Sequence, residues 1–243
     1  MELTMFTLSL SVDELKQYVF NQLNNFFPDK RLFMHDKLFD QSILLALDRT
    51  EFCFRHITLK SFHYDGETFF SHFHSDQYTI FLWFLSNSLL KVFNDTEIAS
   101  KVFYLNKILN GVACMYDTKL PNIFLIVHGG SIVLGKANYS DFFVCYQGCT
   151  VGAIKGVYPT LERGVAMAPQ SSIIGNCIVG AGSTIGNQAL LRNQSLLNQS
   201  LYYRDTSTGS HMIQNTSKSW AQSFFNVPIL SVEGCNNAQN NSG

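Results

Sequence analysis

Few residues in this chain have both the type and the neighbours that chemistry needs. His128 stands beside a glycine pair, Gly129-Gly130. Histidine is the side chain that titrates near neutrality, so an imidazole clear of the core can take a proton from a weak nucleophile. A histidine next to two glycines is also an ordinary turn residue, and both readings stand. A second group is His72-x-His74-x-Asp76. On a strand, alternation would put the three side chains on one face at a spacing that suits a metal; on a helix it would not. Gln77 onwards reads as helix and no further ligand cluster accompanies the group. No metal is therefore expected, and His74 and Asp76 become candidates for substrate contact. The six cysteines are scattered, with no CxxC pair.

The element that must position His128 lies just downstream. Leu161, Met167, Ile173, Val179, Ile185 and Leu191 recur every six residues. Four places after each stand Val165, Ser171, Cys177, Ser183, Ala189 and Ser195. A large aliphatic residue opening each hexad and a small residue fifth mark a parallel β-helix, in which short strands stack coil on coil. Cys177 reads as a packed thiol at a small position. Counted backwards, the same register gives Val151, Cys145, Tyr139, Val133 and Val127. Val151 to Leu161 is six residues plus four, so four extra residues should bulge out around Val157-Tyr158-Pro159-Thr160, and a loop leaving a rigid prism is a good place for substrate contacts.

Upstream, the chain reads as helical. Ser11 and Glu14 form a capping box, with Leu15, Val19 and Leu23 at helical spacing and Pro28 as the stop. Residues 38–54, Gln77–Phe93 and Glu97–Gly111 read as further helices, and Thr58–Ser71 as a loop or helix break. The fold class is α+β: an N-terminal all-α domain (1–120), then a β-helix (121–200), then a C-terminal strand and tail (201–243) whose last eight or so residues should be disordered. Tyr202-Tyr203 and Phe224-Phe225 are candidates for closing strands. The hydrophobic share is 46% and the net charge −1. There is no basic excess to argue for nucleic acid or an anionic membrane as partner. The N-terminal residues lack the positive region of a secretory signal, and the apolar runs are too short to span a bilayer. A reduced, cytoplasmic protein is expected.

Val127-His128-Gly129-Gly130, the hexads, a loop with Tyr158-Pro159, then Leu161-Glu162-Arg163-Gly164-Val165 and Ile173-Ile174-Gly175-Asn176 together resemble the serine acetyltransferases and their hexapeptide-repeat relatives, over about residues 110–196. The resemblance implies a left-handed β-helix, homotrimers or paired trimers, a small-molecule acceptor, and acetyl-CoA as co-substrate in the groove between neighbouring prisms. It implies that His128 is the catalytic base and Asp117 the aspartate that orients it. It places Gly152 and Ala153 against the thioester and pantetheine arm, and Ala168 and Asn187 near backbone contacts to CoA. Tyr158 takes the acceptor-loop position of a family histidine, where its ring equally suits packing on the next subunit. Lys155 is a candidate for a CoA phosphate or a solvated loop lysine.

Two departures bear on the acceptor. Val127 stands where the family has aspartate before the histidine, and Val157-Tyr158-Pro159 where it has Arg-His-Pro. A zwitterion such as serine needs paired charges when it leaves water. A neutral or differently charged hydroxyl compound, such as a nucleotide-linked sugar, suits these residues better. The chemistry asks for a base, because an alcohol is a poor nucleophile until its proton is leaving. It also asks for backbone N–H groups, beside Gly129 or Gly152, to hold the oxyanion. The thiolate of CoA leaves readily, so direct transfer in a ternary complex is expected. A reading of another class is a non-catalytic β-helix used as an oligomeric scaffold.

Overall fold

The computed structural model describes residues 6–29 and 37–230; Met1–Met5, the polar tail Asn236–Gly243 and Cys235 lie outside the described residues. Four helices lead. Helix α1 (Val12–Phe26) starts on the Ser11–Glu14 capping box and buries Leu15, Val19 and Leu23. Helix α2 (Lys37–Phe54) buries Phe39, Ile43, Ala46, Leu47 and Phe54. Helix α3 (Ser75–Phe93) is buried at every residue from Asp76 to Leu89, as an all-round apolar helix at the centre of a domain must be. Helix α4 (Thr96–Asn110) is capped by the Asp95 carboxylate, which accepts from the Glu97 and Ile98 N–H groups, and ends on Gly111 at φ +64°.

The helical half also carries a small sheet where a loop was expected. Strand β1 (Phe6–Leu8) runs parallel to β3 (Glu67–Phe70), which pairs antiparallel with β2 (His63–Tyr64). The hairpin turns on Asp65-Gly66, both at positive φ. Two- and four-residue strands are too short to show alternation, but an Asp-Gly pair is the signal of a tight hairpin turn.

The second half is a left-handed parallel β-helix of about five turns with three faces. Face one stacks β4 (Val112–Cys114), β6 (Ile132–Leu134), β9 (Thr150–Gly152), β12 (Ser172–Ile174) and β15 (Leu190–Arg192). Face two stacks β5 (Phe124–Val127), β8 (Phe143–Tyr146), β11 (Ala166–Met167), β14 (Thr184–Ile185) and β16 (Ser200–Arg204), closed by the antiparallel β17 (His211–Asn215). Face three stacks β7 (Asn138–Tyr139), β10 (Thr160–Leu161) and β13 (Ile178–Val179). From Leu161 to Leu191 every hexad opener is fully buried and in register with its counterpart one coil away. Cys177 is buried, as are all five described cysteines.

Earlier coils depart from the expected register. Leu134, not Val133, pairs with Val151, and Ile126, not Val127, pairs with Cys145. Val133 is 45% exposed and Leu134 1%. The cause is a loop at His128–Ser131 that puts Leu134 eight positions after Ile126, followed by a corner that reaches Tyr139 in five. The two deviations nearly cancel, so a count in sixes from Val151 lands one residue off. The four extra residues of the later loop also close earlier than expected. Ile154 and Val157 exchange backbone hydrogen bonds of 3.1 and 2.9 Å around Lys155 and Gly156, both at positive φ, and Thr160 is already in β10.

The last described residues tie the two halves together. After β17 a strap with a 3-10 turn (Trp220–Phe224) runs back along face two. Arg163 Nε donates to Ile229 O at 2.7 Å and Ser219 Oγ to Gly164 O at 3.4 Å. The strap then reaches the helical half, where Thr58 N–H donates to Phe224 O and Asn226 N–H to His56 O. Tyr202-Tyr203 lie in the closing strand β16, whereas Phe224-Phe225 form this anchor. At the other end α3 closes the base of the prism, with the Trp83 and Phe84 rings each 5.5 Å from the ring of Phe124.

Candidate active site

His128 sits where the chain turns from face two to face one. The turn holds it at φ +54°, a region that non-glycine residues seldom occupy. What holds the turn comes from the helical half. Asp76, in the first turn of α3, accepts from the His128 N–H at 2.9 Å through Oδ2 and from the Gly129 N–H at 2.8 Å through Oδ1. Asp76 is 8% exposed. Expected as a substrate contact, it spends both oxygens on this loop. The Gly129 N–H is likewise committed to Asp76 rather than free to face an oxyanion.

His74 is the N-cap of α3: its Nδ1 accepts from the Gln77 N–H at 3.4 Å, and its ring lies edge-on to Phe62. His72 faces Ser9 Oγ at 2.8 Å, and burial pushes its imidazole below the usual range. These residues form a turn and a helix start, not a strand, so alternation never brings them to one face. Among the described residues there is no group of three or more His, Cys, Asp or Glu placed to hold a metal.

The His128 ring is exposed and lies 6.2 Å, edge to face, from the Tyr146 ring. Tyr146 in turn stacks on Trp220 of the strap, with centroids 5.2 Å apart and planes at 20°. Trp220 lines a groove of about 590 Å³ together with Ala168, Gly186, Asn187, Leu201 and Lys218. Ala168 and Asn187, expected from the resemblance, thus come together on the same edge of the prism as His128. Trp220 and Lys218 were missed in sequence. An isolated tryptophan in a polar stretch was the available signal, because such a ring is rarely left without a surface to cover.

The other expected residues lie on a different edge, where the chain turns from face one to face three. Asp117 Oδ2 meets Lys136 Nζ at 2.8 Å, and this partner raises the lysine above its ordinary value. Tyr158 joins Asp117, Lys119, Lys136, Ala137 and Asn138 around a pocket of about 280 Å³. Gly152 ends β9 on this edge and Ala153 follows it. Within one chain, then, Asp117 is engaged by Lys136, and among the described residues no carboxylate is bonded to the His128 ring. The described thiols offer no second nucleophile. Cys149 is held down to about 7 by a hydrogen bond with Cys145, yet it points inward, with Sγ 3.2 Å from Ala168 O. The arrangement is an exposed imidazole that shares an edge of the prism with a groove, the Tyr146 ring lying between His128 and the groove's Trp220; the groove sets Ala168, Leu201 and Trp220 beside polar residues such as Thr184, Asn187 and Lys218.

No protein-family model matches this sequence, and no curated protein matches it. Solved structures do. A serine acetyltransferase of Neisseria gonorrhoeae superposes with a TM-score of 0.65 at 15% identity, covering 86% of this chain and 80% of that one. A soybean serine acetyltransferase complexed with serine gives 0.64 at 14%, covering 85% of each chain. A serine acetyltransferase in complex with CoA gives 0.56 at 13%, covering 84% of this chain and 97% of that one. The similarity takes in most of the helical half as well as the β-helix, so the chain has the fold of the serine acetyltransferases.

Proposed function

We propose that this protein is an acetyl-CoA-dependent O-acetyltransferase in which His128 is the general base. The observation that carries the reading is that His128 shares an edge of the prism with the groove lined by Ala168, Asn187 and Trp220, the Tyr146 ring lying between the His128 and Trp220 rings. Ala168, Leu201 and Trp220 give it an apolar wall that suits a pantetheine arm, and Lys218 is the one cation in its lining for a phosphate. The shared fold supports it, since one of the similar proteins is complexed with CoA. His128 takes the proton of the acceptor hydroxyl as its oxygen attacks the thioester carbonyl. The C–S bond then breaks and the thiolate leaves, with no covalent enzyme intermediate. General-base help of this kind contributes about 10²- to 10⁴-fold in rate.

Two edges of the prism carry candidate residues, and one column cannot bring them together. Asp117, Gly152, Ala153 and Tyr158 would join His128 only if the face-one-to-three edge of one protomer met the face-two-to-one edge of the next, as in a closed ring of three. The protein is therefore read as a homotrimer, alone or paired, with acetyl-CoA between columns, working in the cytoplasm. Val127 beside His128 and Tyr158 in the loop favour a neutral or phosphorylated hydroxyl acceptor, such as a nucleotide sugar or polysaccharide precursor, over serine.

The test is thiol release from acetyl-CoA with serine, nucleotide sugars and short glycans in turn, for the parent and for His128→Ala. Turnover with one acceptor that vanishes in His128→Ala supports the reading. Turnover with serine at ordinary enzymatic rates would displace the proposed acceptor class. Binding of acetyl-CoA without turnover on any acceptor, unchanged in His128→Ala, would leave a scaffold.

A further inference from the structure

The turn that presents His128 is costly to hold. His128 and Ser131 both sit at positive φ, and Gly130 adopts φ +152°. Left to itself, a non-glycine residue in the left-handed region relaxes, at a gain of about 1 kcal/mol or more. Two successive backbone N–H groups facing the same way also need an acceptor, because the edge here is packed against the helical half. One group answers both needs. Asp76 receives the His128 and Gly129 N–H groups on its two oxygens, at 2.9 and 2.8 Å. The carboxylate is buried and sits in the first turn of α3, where the helix dipole favours negative charge. Helix α3 is itself buried in the core at every residue from Asp76 to Leu89, so the turn is referenced to the most deeply buried helix of the helical half.

From this geometry we infer that Asp76 is the positioning residue of the site: it sets the direction in which the His128 imidazole points by fixing the backbone beneath it. The inference rests on His128 being the base. Its carboxylate touches neither the ring nor the groove, so it acts through the main chain alone. The ring nitrogens stay free for the acceptor proton, and Asp117 stays with Lys136. The helical half thereby contributes to the reaction a residue that a β-helix alone lacks.

Asp76→Asn is the test. The amide keeps the shape but offers one acceptor and one NH₂, so one N–H loses its partner and meets a donor instead. Expected is a fall in kcat of about 10²-fold, the effect of misplacing a reacting group by about an ångström, with the KM for acetyl-CoA unchanged. Expected too is faster hydrogen exchange, read by mass spectrometry, in the peptide carrying His128 and Gly129, by about 10-fold or more, while peptides of α3 beyond its first turn stay slow. Asp76→Glu, which keeps the charge but displaces it by one methylene, should fall between parent and Asn and serves if the Asn protein does not fold. The proposal is overturned if kcat per folded molecule stays within about 3-fold of the parent, or if only global stability drops while the 128–129 amides exchange as before. Should His128→Ala prove fully active, the base assignment falls, whereas the exchange measurement, which needs no substrate, still decides whether Asp76 holds the turn.

Discussion

The coils before Leu161 and those after it obey different rules. From Leu161 onward each face advances by one hexad, and the hexad openers stack without a break through Leu191. Before Leu161 the repeat is broken three times: by two extra residues at His128–Ser131, by a short corner before Tyr139, and by the Ile154–Val157 turn. The late coils supply walls, Ala168 and Asn187 among them. His128 and Tyr158 stand at the breaks. A stack of identical coils repeats the same backbone, so it can build a groove but cannot single out one side chain. An interruption can, because it frees the chain from the register and lets another element, here Asp76 of α3, fix what it presents.

The largest expected effect separates the two kinds of coil by kinetics. His128→Ala, at a break, should lower kcat by about 10²- to 10⁴-fold and leave stability alone, since the ring is exposed. Asn187→Ala, in a regular coil, should raise the KM for acetyl-CoA by about 3- to 10-fold with kcat kept, the mark of a wall that binds ground and transition states alike.

Next comes the register itself. Leu134→Ala should cost about 2–5 kcal/mol in urea unfolding, and its neighbour Val133→Ala no more than about 0.5 kcal/mol. Equal costs would mean that the coil does not slip as described.

On the edge away from His128, Lys136→Ala should leave the urea midpoint almost unchanged, because the Lys136–Asp117 pair is exposed and screened. A changed acceptor KM without a changed melting temperature would show that this edge enters the site.

The smallest effect concerns the turn between β16 and β17. The Asp205 carboxylate accepts from Ser207 and Thr208 and is held down to about 2 from an ordinary 3.8. A depressed acid contributes stability that is present above its unfolded value and lost as pH falls through the folded one. The hairpin should therefore loosen between about pH 4 and 2, seen as faster exchange of its amides while the late coils stay closed.

Much of this was open to a reader of the sequence, and for a physical reason. Repeats, capping boxes and apolar stripes are local patterns, in which each residue's fate depends on neighbours a few positions away. Hence the hexads from Leu161, the Ser11–Glu14 start of α1 and the Gly111 cap could be read directly. The slip at Leu134 could not, because two opposite deviations hide in a count of sixes. Nor could the tie between Asp76 and the His128 turn, 52 positions apart, since hydrogen bonds between distant backbone and side chain leave no periodic trace. By itself the sequence determined that a prism of hexads exists and that a histidine stands at its edge. Only the tertiary structure decided what grips that histidine's turn and which residues share its edge, because contacts between the helical half and the prism arise only once both have folded and docked.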